Sequence, residues 1–535
     1  MIALRCTLLA SAALLLSACT EPDGSATQEA APPPLVEATI GDLQDALRDG
    51  RTNCAAIVDG YLARIEAYDA PRGIDAITEL SATARARAAE IDAELARGED
   101  VGPLACVPLL VKDNFDTFDL PTTGGSMALA GSIADDDAFM VQRLRGAGAI
   151  VLAKTNMAEW AFSPRHSLSS SYGRTANAYS PGHTPAGSSG GTASGVAASF
   201  AAAGLGSDTG NSIRGPSSHL ALFGIRSTLG LTSRDGVVPL LFDRDVAGPM
   251  TRTVEDGARL FDVVAGSDPA DPYTVEADAR READYTQRLR EDGLVGARIG
   301  VLRALAVPAE SDAEVLSLFD AALEDLEAAG AEIVDAVDVP RLVDVHLEAD
   351  LGCNRFRHDL AVYLATLPAP PFTDVKDVLD AGHFDEGSRR GLEYFTSAPL
   401  TAPAEREADP CPEFADHPGR QAFLADVTAA MDAAGVDALA YPSWTWPPAP
   451  LDTAVEDYKG DNSQLVAPDT GMPAVTVPMG FTRNGTLPAG LQLLARPWDD
   501  GLLIQYAYAY EQATRHRRPP AGFEELAPAP RRAAD

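Results

Sequence analysis

Residues 185–214 read PAGSSGGTASGVAASFAAAGLGSDTGNSIR, and this stretch decides how the rest of the sequence is interpreted. It holds two clusters of small residues with hydroxyl groups, GSSGG at 187–191 and DTGNS at 208–212. Glycines beside serines allow backbone angles that a Cβ would forbid, so a tight turn can present a serine hydroxyl. Successive N–H groups in such a turn form a concavity that holds an anion. A serine next to free N–H groups is the minimum equipment for acyl transfer.

Two other interpretations of these clusters are open at this point. Gly/Ser stretches often form flexible linkers, and glycine-rich loops also cradle phosphate groups. The sequence has no G-x-x-x-x-G-K-[ST] motif and no basic residue inside either cluster, which disfavours phosphate binding. The alanine-rich link at 192–203 has helical propensity and therefore argues against a flexible linker.

An apolar run upstream, VPLLV at 107–111, ends at Lys112. Its length and composition predict a buried strand. Burial at the end of such a strand would lower the pKa of the lysine, and a neutral lysine can act as a general base. The alternative is a surface Lys112 paired with Asp113 or another carboxylate. A helix at about 136–145 and a strand at 149–152 follow, which predicts a βαβ unit and an α/β sheet.

These segments together resemble the amidase signature family of serine hydrolases. The resemblance covers nearly everything after residue 35, and the motifs that carry it are residues 102–104, 107–114, 146–149, 153–157, 185–214, 248–252, 471–478 and 490–492. It implies an α/β fold, with one large amidase signature domain at 36–530 whose central mixed β-sheet is covered by helices on both sides. It implies hydrolysis of carbon–nitrogen bonds other than peptide bonds, in linear amides, with ester cleavage as a side activity. It implies no metal and no organic cofactor.

The resemblance assigns catalytic roles by position in the motifs. Ser212 aligns with the nucleophile, Ser188 with the bridging serine that follows a cis peptide bond, and Lys112 with the base. Neutral Lys112 would draw a proton from Ser188, which draws one from Ser212 during attack on the carbonyl, so no histidine is needed. The implied oxyanion hole consists of the backbone N–H groups of Thr209, Gly210, Asn211 and Ser212.

Two positions in the stretch depart from the family pattern. Asn211 stands where many members have glycine, and Ala186 stands where glycine often precedes the Gly-Ser-Ser core. Asparagine tolerates left-handed backbone angles better than most residues, so we expect the oxyanion hole to be kept. Asp208 and Arg214 flank the loop and are predicted to brace it rather than to react.

The N-terminus carries a separate signal. Residues 1–19 read MIALRCTLLASAALLLSAC, in which the apolar run is too short to span a bilayer. Its end, LSAC, resembles a bacterial lipobox, which predicts a lipoprotein signal peptide at 1–18 and lipidation of Cys19. An ordinary signal peptide or a mis-assigned start is the alternative. The polar residues 19–35 are typical of a flexible tether, so we expect a bacterial lipoprotein that is exported to the periplasm or anchored at the outer membrane.

Composition limits the partners. The 535 residues are 46% hydrophobic and 22% charged, as in soluble globular proteins, and carry a formal net charge of −36. Such a charge disfavours nucleic acid, and with it the tRNA-dependent transamidation of some family members. We expect a small-molecule amide as partner and membrane contact only through the lipid anchor, with the oligomeric state left open. A non-catalytic binding lipoprotein with this fold is the alternative, although it would have no use for Lys112, Ser188 and Ser212.

The cysteines indicate disulfides rather than a metal site. Without Cys6 and Cys19, four remain, and four cysteines permit three pairings. Proximity in the sequence favours Cys54 with Cys106 and Cys353 with Cys411. None of them has C-x-x-C or Cys/His ligand spacing, so no zinc site is predicted.

The remaining regions give coarser predictions. Residues 36–98 have helical periodicity, with Asp42 and Thr52 as candidate N-caps, and residues 315–328 form a further helix. The resemblance is weakest at 270–467, where substrate specificity is expected to lie. Five aromatic residues there line a substrate pocket or pack in the core, and the second use is the commoner one: Phe356, Tyr363, Tyr394, Trp444 and Trp446.

Overall fold

A computed structural model of the protein describes residues 33–340, 342, 353–408 and 410–526. The predicted signal peptide at 1–18, Cys19, most of the tether and the predicted end of the domain at 527–530 lie outside the described residues. Within the described residues, no helix has the length and apolar character needed to cross a membrane.

An eleven-stranded mixed sheet forms the centre of the molecule, and a separate two-stranded sheet lies beside it. The strands are, in chain order, β1 (Ile77–Leu80), β2 (Pro108–Lys112), β3 (Ile150–Thr155), β4 (Leu168–Ser169), β5 (Gly173–Arg174), β6 (Ala203–Asp208), β7 (Phe223–Arg226), β8 (Val246–Thr251), β9 (Arg298–Val301), β10 (Glu332–Val334), β11 (Ala438–Pro442), β12 (Ala474–Thr482) and β13 (Leu487–Ala495).

Helices flank the large sheet. The α-helices of the described residues are α1 (Ile40–Arg48), α2 (Cys54–Tyr68), α3 (Ala84–Ala96), α4 (Phe139–Gly146), α5 (Gly190–Ala197), α6 (Arg214–His219), α7 (Val254–Val264), α8 (Ala277–Arg280), α9 (Ala313–Ala328), α10 (Phe356–Leu364), α11 (Val375–Ala381), α12 (Arg389–Thr396), α13 (Pro418–Ala434), α14 (Ala467–Thr470) and α15 (Asp500–Thr514).

The order of the large sheet is β1-β3-β2-β6-β8-β7-β12-β13-β11-β9-β10. Strand β2 is parallel to both neighbours, β3 and β6, whereas β8 is antiparallel to β6. The predicted α/β fold with one mixed sheet is confirmed, and so is the βαβ unit formed by β2, α4 and β3. Because parallel strands end at the same edge of a sheet, the carboxyl ends of β2 and β6 lie side by side.

Helix α5 packs closely on β2 and β6 because its contact surface is made of small residues. A Cβ added at Gly195 would stand 2.6 Å from Leu110 Cδ1, and one at Gly204 would stand 2.5 Å from Thr192 Cγ2. The alanine-rich link is therefore a buried helix rather than a linker. The helix ends at Ala197, earlier than the 192–203 segment suggested by propensity.

The predicted N-caps are wrong. Thr39 caps α1, with its hydroxyl accepting the N–H of Asp42 at 3.0 Å, while the Asp42 carboxylate accepts the N–H of Thr39 at 3.0 Å. Asp42 is therefore the third helical residue of a capping box. Asn53, not Thr52, caps α2 through a bond from the N–H of Ala56. Periodicity located these helices, but each has more than one polar residue near its start, and periodicity does not show which of them is the N-cap.

Both expected disulfide pairs are present. Cys54 at the start of α2 is bonded to Cys106 just before β2, with 5.5 Å between their Cα atoms. Cys353 is bonded to Cys411, with 5.7 Å between Cα atoms. The first disulfide ties the N-terminal helices to the strand that carries Lys112.

Candidate active site

Lys112 is the last residue of β2 and is fully buried. Its Nζ lies 2.7 Å from Ser188 Oγ, 2.8 Å from Ser207 Oγ and 3.4 Å from the Ser207 carbonyl oxygen. Asp113, a partner considered from the sequence, instead lies 3.6 Å from the Nζ of Lys154. Lys112 is therefore surrounded by hydroxyl and carbonyl groups rather than paired with a neighbouring carboxylate.

The surroundings of Lys112 set its protonation. Burial lowers its pKa to about 7, although the charges of Asp208 and Asp245 oppose that shift. A large share of this amine is thus neutral at neutral pH, as a general base requires.

Ser207 orients the lone pair of that neutral amine. A neutral lysine has two N–H groups and one lone pair, and the Ser207 carbonyl can only accept. Lys112 Nζ also donates to Ser207 Oγ, which accepts a further hydrogen bond from the amide nitrogen of Asn114 at 2.9 Å. The lone pair is then left for the hydroxyl of Ser188. Sequence reasoning assigned no role to Ser207 or Asn114.

The turn that carries Ser188 is fixed by backbone contacts, and Gly187–Ser188 is a cis peptide bond. A Cβ at Gly187 would stand 2.4 Å from the carbonyl oxygen of His166, so only glycine fits. The Ser188 carbonyl accepts the N–H of Ala158 at 3.1 Å. Ala186, one of the departures from the family pattern, has a φ of +66°, which favours glycine.

Ser212 lies in the turn between β6 and α6, and 4% of its surface is exposed. The backbone N–H groups of 209–212 donate to no acceptor within the described residues. Likewise, the Ser212 hydroxyl forms no hydrogen bond with another described residue, so the structure does not join it to Ser188. The predicted oxyanion-hole residues thus present free donors beside a free hydroxyl.

The carboxylate of Asp208 holds the residues that follow this turn in place. It accepts the backbone N–H of Ile213 at 3.1 Å and is paired with Arg214 at 3.1 Å and Arg226 at 3.0 Å. All three charged side chains are fully buried. Burial alone would raise the pKa of Asp208, but the two guanidinium groups hold it well below its usual range. These contacts fit the bracing role expected for Asp208 and Arg214.

Replacing Asp208 by asparagine is expected to lower the free energy of unfolding by about 3–5 kcal/mol, because two buried arginines lose their counter-charge. Since the folded pKa of Asp208 is depressed, its contribution is present above the unfolded pKa of about 4 and is lost at lower pH. Urea titration at several pH values measures both effects. Asp452→Asn, which removes the exposed partner of Arg174, should change stability by less than about 0.5 kcal/mol. Equal effects of the two substitutions would contradict the bracing role.

The side chain of Asn211 is packed behind the loop. A Cβ at Gly215 would stand 2.7 Å from Asn211 Nδ2 and 3.1 Å from Trp444 Cζ3, so Asn211 occupies space that any larger residue at 215 would need. Asn211 Oδ1 accepts from Gln464 Nε2 at 3.3 Å. Gln464 in turn covers Gly210, where an added Cβ would stand 2.0 Å from its Oε1. The asparagine is accommodated because glycine stands at 215.

Most of the aromatic pocket candidates are packing residues. The Phe356 ring lies 5.0 Å from that of Phe162 inside the core, and the Tyr363 hydroxyl donates to Asp116 at 2.7 Å. Trp444, whose ring lies 4.5 Å from that of His219, borders the side chain of Asn211 in the turn at 209–212. Two others lie elsewhere: Tyr394 is exposed and packs edge-on against Phe395, and Trp446 donates to the carbonyl of Glu310.

Within the described residues, no cluster of three or more His, Cys, Asp or Glu side chains could hold a metal ion. The site consists of a buried amine, hydroxyl groups and free backbone N–H groups, which is equipment for nucleophilic acyl transfer.

A protein-family model described as Amidase matches residues 56–504. The chain belongs to this family, the amidase signature enzymes, as the resemblance implied. It is an amidase-family enzyme that acts on carbon–nitrogen bonds.

Two kinds of relatives illustrate the similarity. A glutamyl-tRNA(Gln) amidotransferase subunit of Halorhodospira halophila is 36% identical, over 91% of this chain and 99% of that protein. The counterpart in Synechococcus sp. CC9311 is 34% identical, over 90% and 99%. Among solved structures, native peptide amidase from Stenotrophomonas maltophilia is 35% identical with a TM-score of 0.78, over 91% of this chain and 99% of that chain.

Proposed function

We propose that this protein hydrolyses linear carboxamides through a covalent acyl-enzyme on Ser212, with Ser188 as proton relay and Lys112 as base. The observation that carries the proposal is the 2.7 Å hydrogen bond between the fully buried Lys112 Nζ and Ser188 Oγ, next to a turn that presents Ser212 and four free N–H groups.

The proposed reaction moves one proton from Ser212 through Ser188 to Lys112 and later returns it to the leaving nitrogen. Ser188 gives its proton to Lys112 and takes the proton of Ser212, while Ser212 Oγ bonds to the carbonyl carbon. This step requires substrate to bring Ser212 within hydrogen-bond distance of Ser188, and such contacts commonly tighten only in the substrate complex. The N–H groups of 209–212 bind the oxyanion. The C–N bond then breaks, and the leaving nitrogen takes the proton from Lys112 through Ser188. Water next attacks the acyl-enzyme and gives its proton to Lys112 through Ser188. The acid leaves as the proton returns to Ser212 Oγ.

The relatives suggest two candidate activities. The 35% identity to a peptide amidase supports peptide amides beside simple linear carboxamides as substrates. The amidotransferase name of the curated relatives makes transamidation the second candidate. Against it stands the formal net charge of −36, which disfavours contact with nucleic acid.

A panel of aliphatic, aryl, peptide and cyclic amides, with matched esters, tests the proposal, together with labelling by a fluorophosphonate probe. We expect ammonia or amine release by this chain alone, without nucleic acid, nucleotide or a second protein, and probe attachment at Ser212 located by mass spectrometry. Silence across the panel combined with absence of labelling would overturn the proposal. Labelling at another serine would reassign the nucleophile.

We also propose that the chain is exported and lipidated at Cys19. The disulfides Cys54–Cys106 and Cys353–Cys411 support an oxidising compartment, where such bonds persist. When the full gene is expressed in a bacterium, metabolic labelling with an alkyne fatty acid should mark the processed protein in the membrane fraction and fail with Cys19→Ala. Cys6→Ala is the matched control and should keep the label. A labelled Cys19→Ala protein would contradict the proposal.

A further inference from the structure

Arg165 lies beside the turn that carries the bridging serine. The N–H of Gly187 donates to the Pro164 carbonyl at 2.9 Å, and the His166 carbonyl closes on the same glycine. The backbone of Arg165 is fixed between these contacts, since its carbonyl accepts the Thr184 hydroxyl at 2.7 Å. The position of Arg165 is therefore tied to that of Ser188, the residue after Gly187.

The side chain of Arg165 packs against Tyr458, which is distant in the sequence. Its guanidinium carbon lies 5.1 Å from the ring centroid of Tyr458. That ring stands 5.6 Å from the ring of Trp444, which borders the turn at 209–212. The Tyr458 hydroxyl donates to Asp461 at 2.9 Å, in the same segment as Gln464, which covers the loop. Arg165 thus links the turn before Ser188 to the segment that covers the turn at 209–212.

The charge of Arg165 is uncompensated among the described residues. Its Nε is buried without a hydrogen-bond partner, and its guanidinium forms no ion pair with a described carboxylate. This stands out in a chain with 78 acidic and 42 basic residues. The nearby Arg174, by contrast, pairs with Asp452 at 3.2 Å.

We infer that Arg165 is an anion subsite, and that the substrate is an amide whose acyl part or leaving amine carries a carboxylate. A guanidinium is planar and presents its N–H donors as a fork that matches a carboxylate. The Tyr458 ring packs against one face of the guanidinium plane. The N–H donors point outward in that plane and remain available to a ligand. The inference rests on the proposed amide hydrolysis and names its substrate class.

Two pairs of substrates that differ only in charge test this inference. Succinamate and its methyl ester place the charge on the acyl side, and N-acetylglycine and its methyl ester place it on the leaving amine. We expect the acid to be preferred in one pair. Arg165→Gln should lower that acid-to-ester ratio of kcat/KM about 10- to 100-fold, the loss of one charged hydrogen-bonded contact. Arg165→Lys should retain part of the preference, and Arg174→Gln should leave the ratio unchanged.

An absent preference in both pairs, or an equal loss for acid and ester in Arg165→Gln, would overturn the inference. A failure of catalysis itself is distinguished by calorimetry on the Ser212→Ala protein with succinamate and N-acetylglycine as probes. Binding that disappears when Arg165→Gln is added supports the subsite even without turnover, and absence of binding overturns it.

Discussion

Replacement of Ser212 by alanine is expected to lower kcat on every substrate that the protein hydrolyses by about 10⁴-fold or more, and to abolish labelling by a fluorophosphonate. The expected size follows from other serine hydrolases, where loss of the nucleophile leaves only the contribution of binding and the oxyanion hole. The side chain forms no hydrogen bond with another described residue, so its removal should leave the fold intact. Initial rates measure kcat, intact-protein mass spectra measure labelling by the fluorophosphonate, and thermal unfolding measures the stability of the fold.

The matched control is Ser218→Ala. Ser218 is another buried serine, on α6 after the turn that carries Ser212, and its hydroxyl also has no hydrogen-bond partner in the described part of the chain. Loss of this hydroxyl should therefore change neither rate nor stability appreciably. Activity that survives in Ser212→Ala would mean that another residue attacks the substrate.

The sequence was informative where the chemistry is local. The turn around Ser188 and the turn around Ser212 are short segments in which glycine, serine and a flanking Asp208 specify the conformation. Lys112 was recognisable because an apolar run of strand length ends at a charged residue. In each case the constraint acts over a few residues, and a single sequence can display it.

The parts that were missed depend on neighbours distant in the chain. Ser207 contacts Lys112 because β6 lies parallel to β2, with Val111 opposite Leu205, and nothing near either residue specifies that pairing. Asn114 gains its role only through the same adjacency. A motif thus predicted the candidate residues Lys112, Ser188 and Ser212, whereas the contact of Ser207 with Lys112 required the order of strands in the sheet.

The environment of Asn211 also depends on residues that are distant in the chain. From the sequence it appeared as a departure in the oxyanion loop, judged only by the backbone angles that asparagine tolerates. In the structure the substitution is accommodated by Gly215, Trp444 and Gln464, the last two more than 200 positions away. Whether a loop tolerates a larger side chain is decided by the volume behind it, which local sequence does not encode.

Replacement of Lys112 by methionine is expected to lower kcat/KM about 10²- to 10⁴-fold, the usual contribution of a general base. Methionine keeps an unbranched side chain in the buried site while it removes the amine. In the parent, kcat/KM should fall about tenfold per pH unit below pH 7 and level off above it, because only the neutral amine accepts a proton and burial lowers the pKa of Lys112 to about 7. The variant should lose that inflection along with the rate.

The pH profile separates this role from a structural one. If Lys112 merely held Ser188 and Ser207 in place, another group would set the pH dependence, and loss of Lys112 would reduce the rate without removing a titration near pH 7. Lys376→Met is the matched control, since that lysine lies at the surface and pairs with Asp380 at 2.6 Å. It should keep both the parent rate and the parent inflection. If Lys112→Met retained the inflection, the titrating group would have to be another residue, and the assignment of Lys112 as base would be wrong.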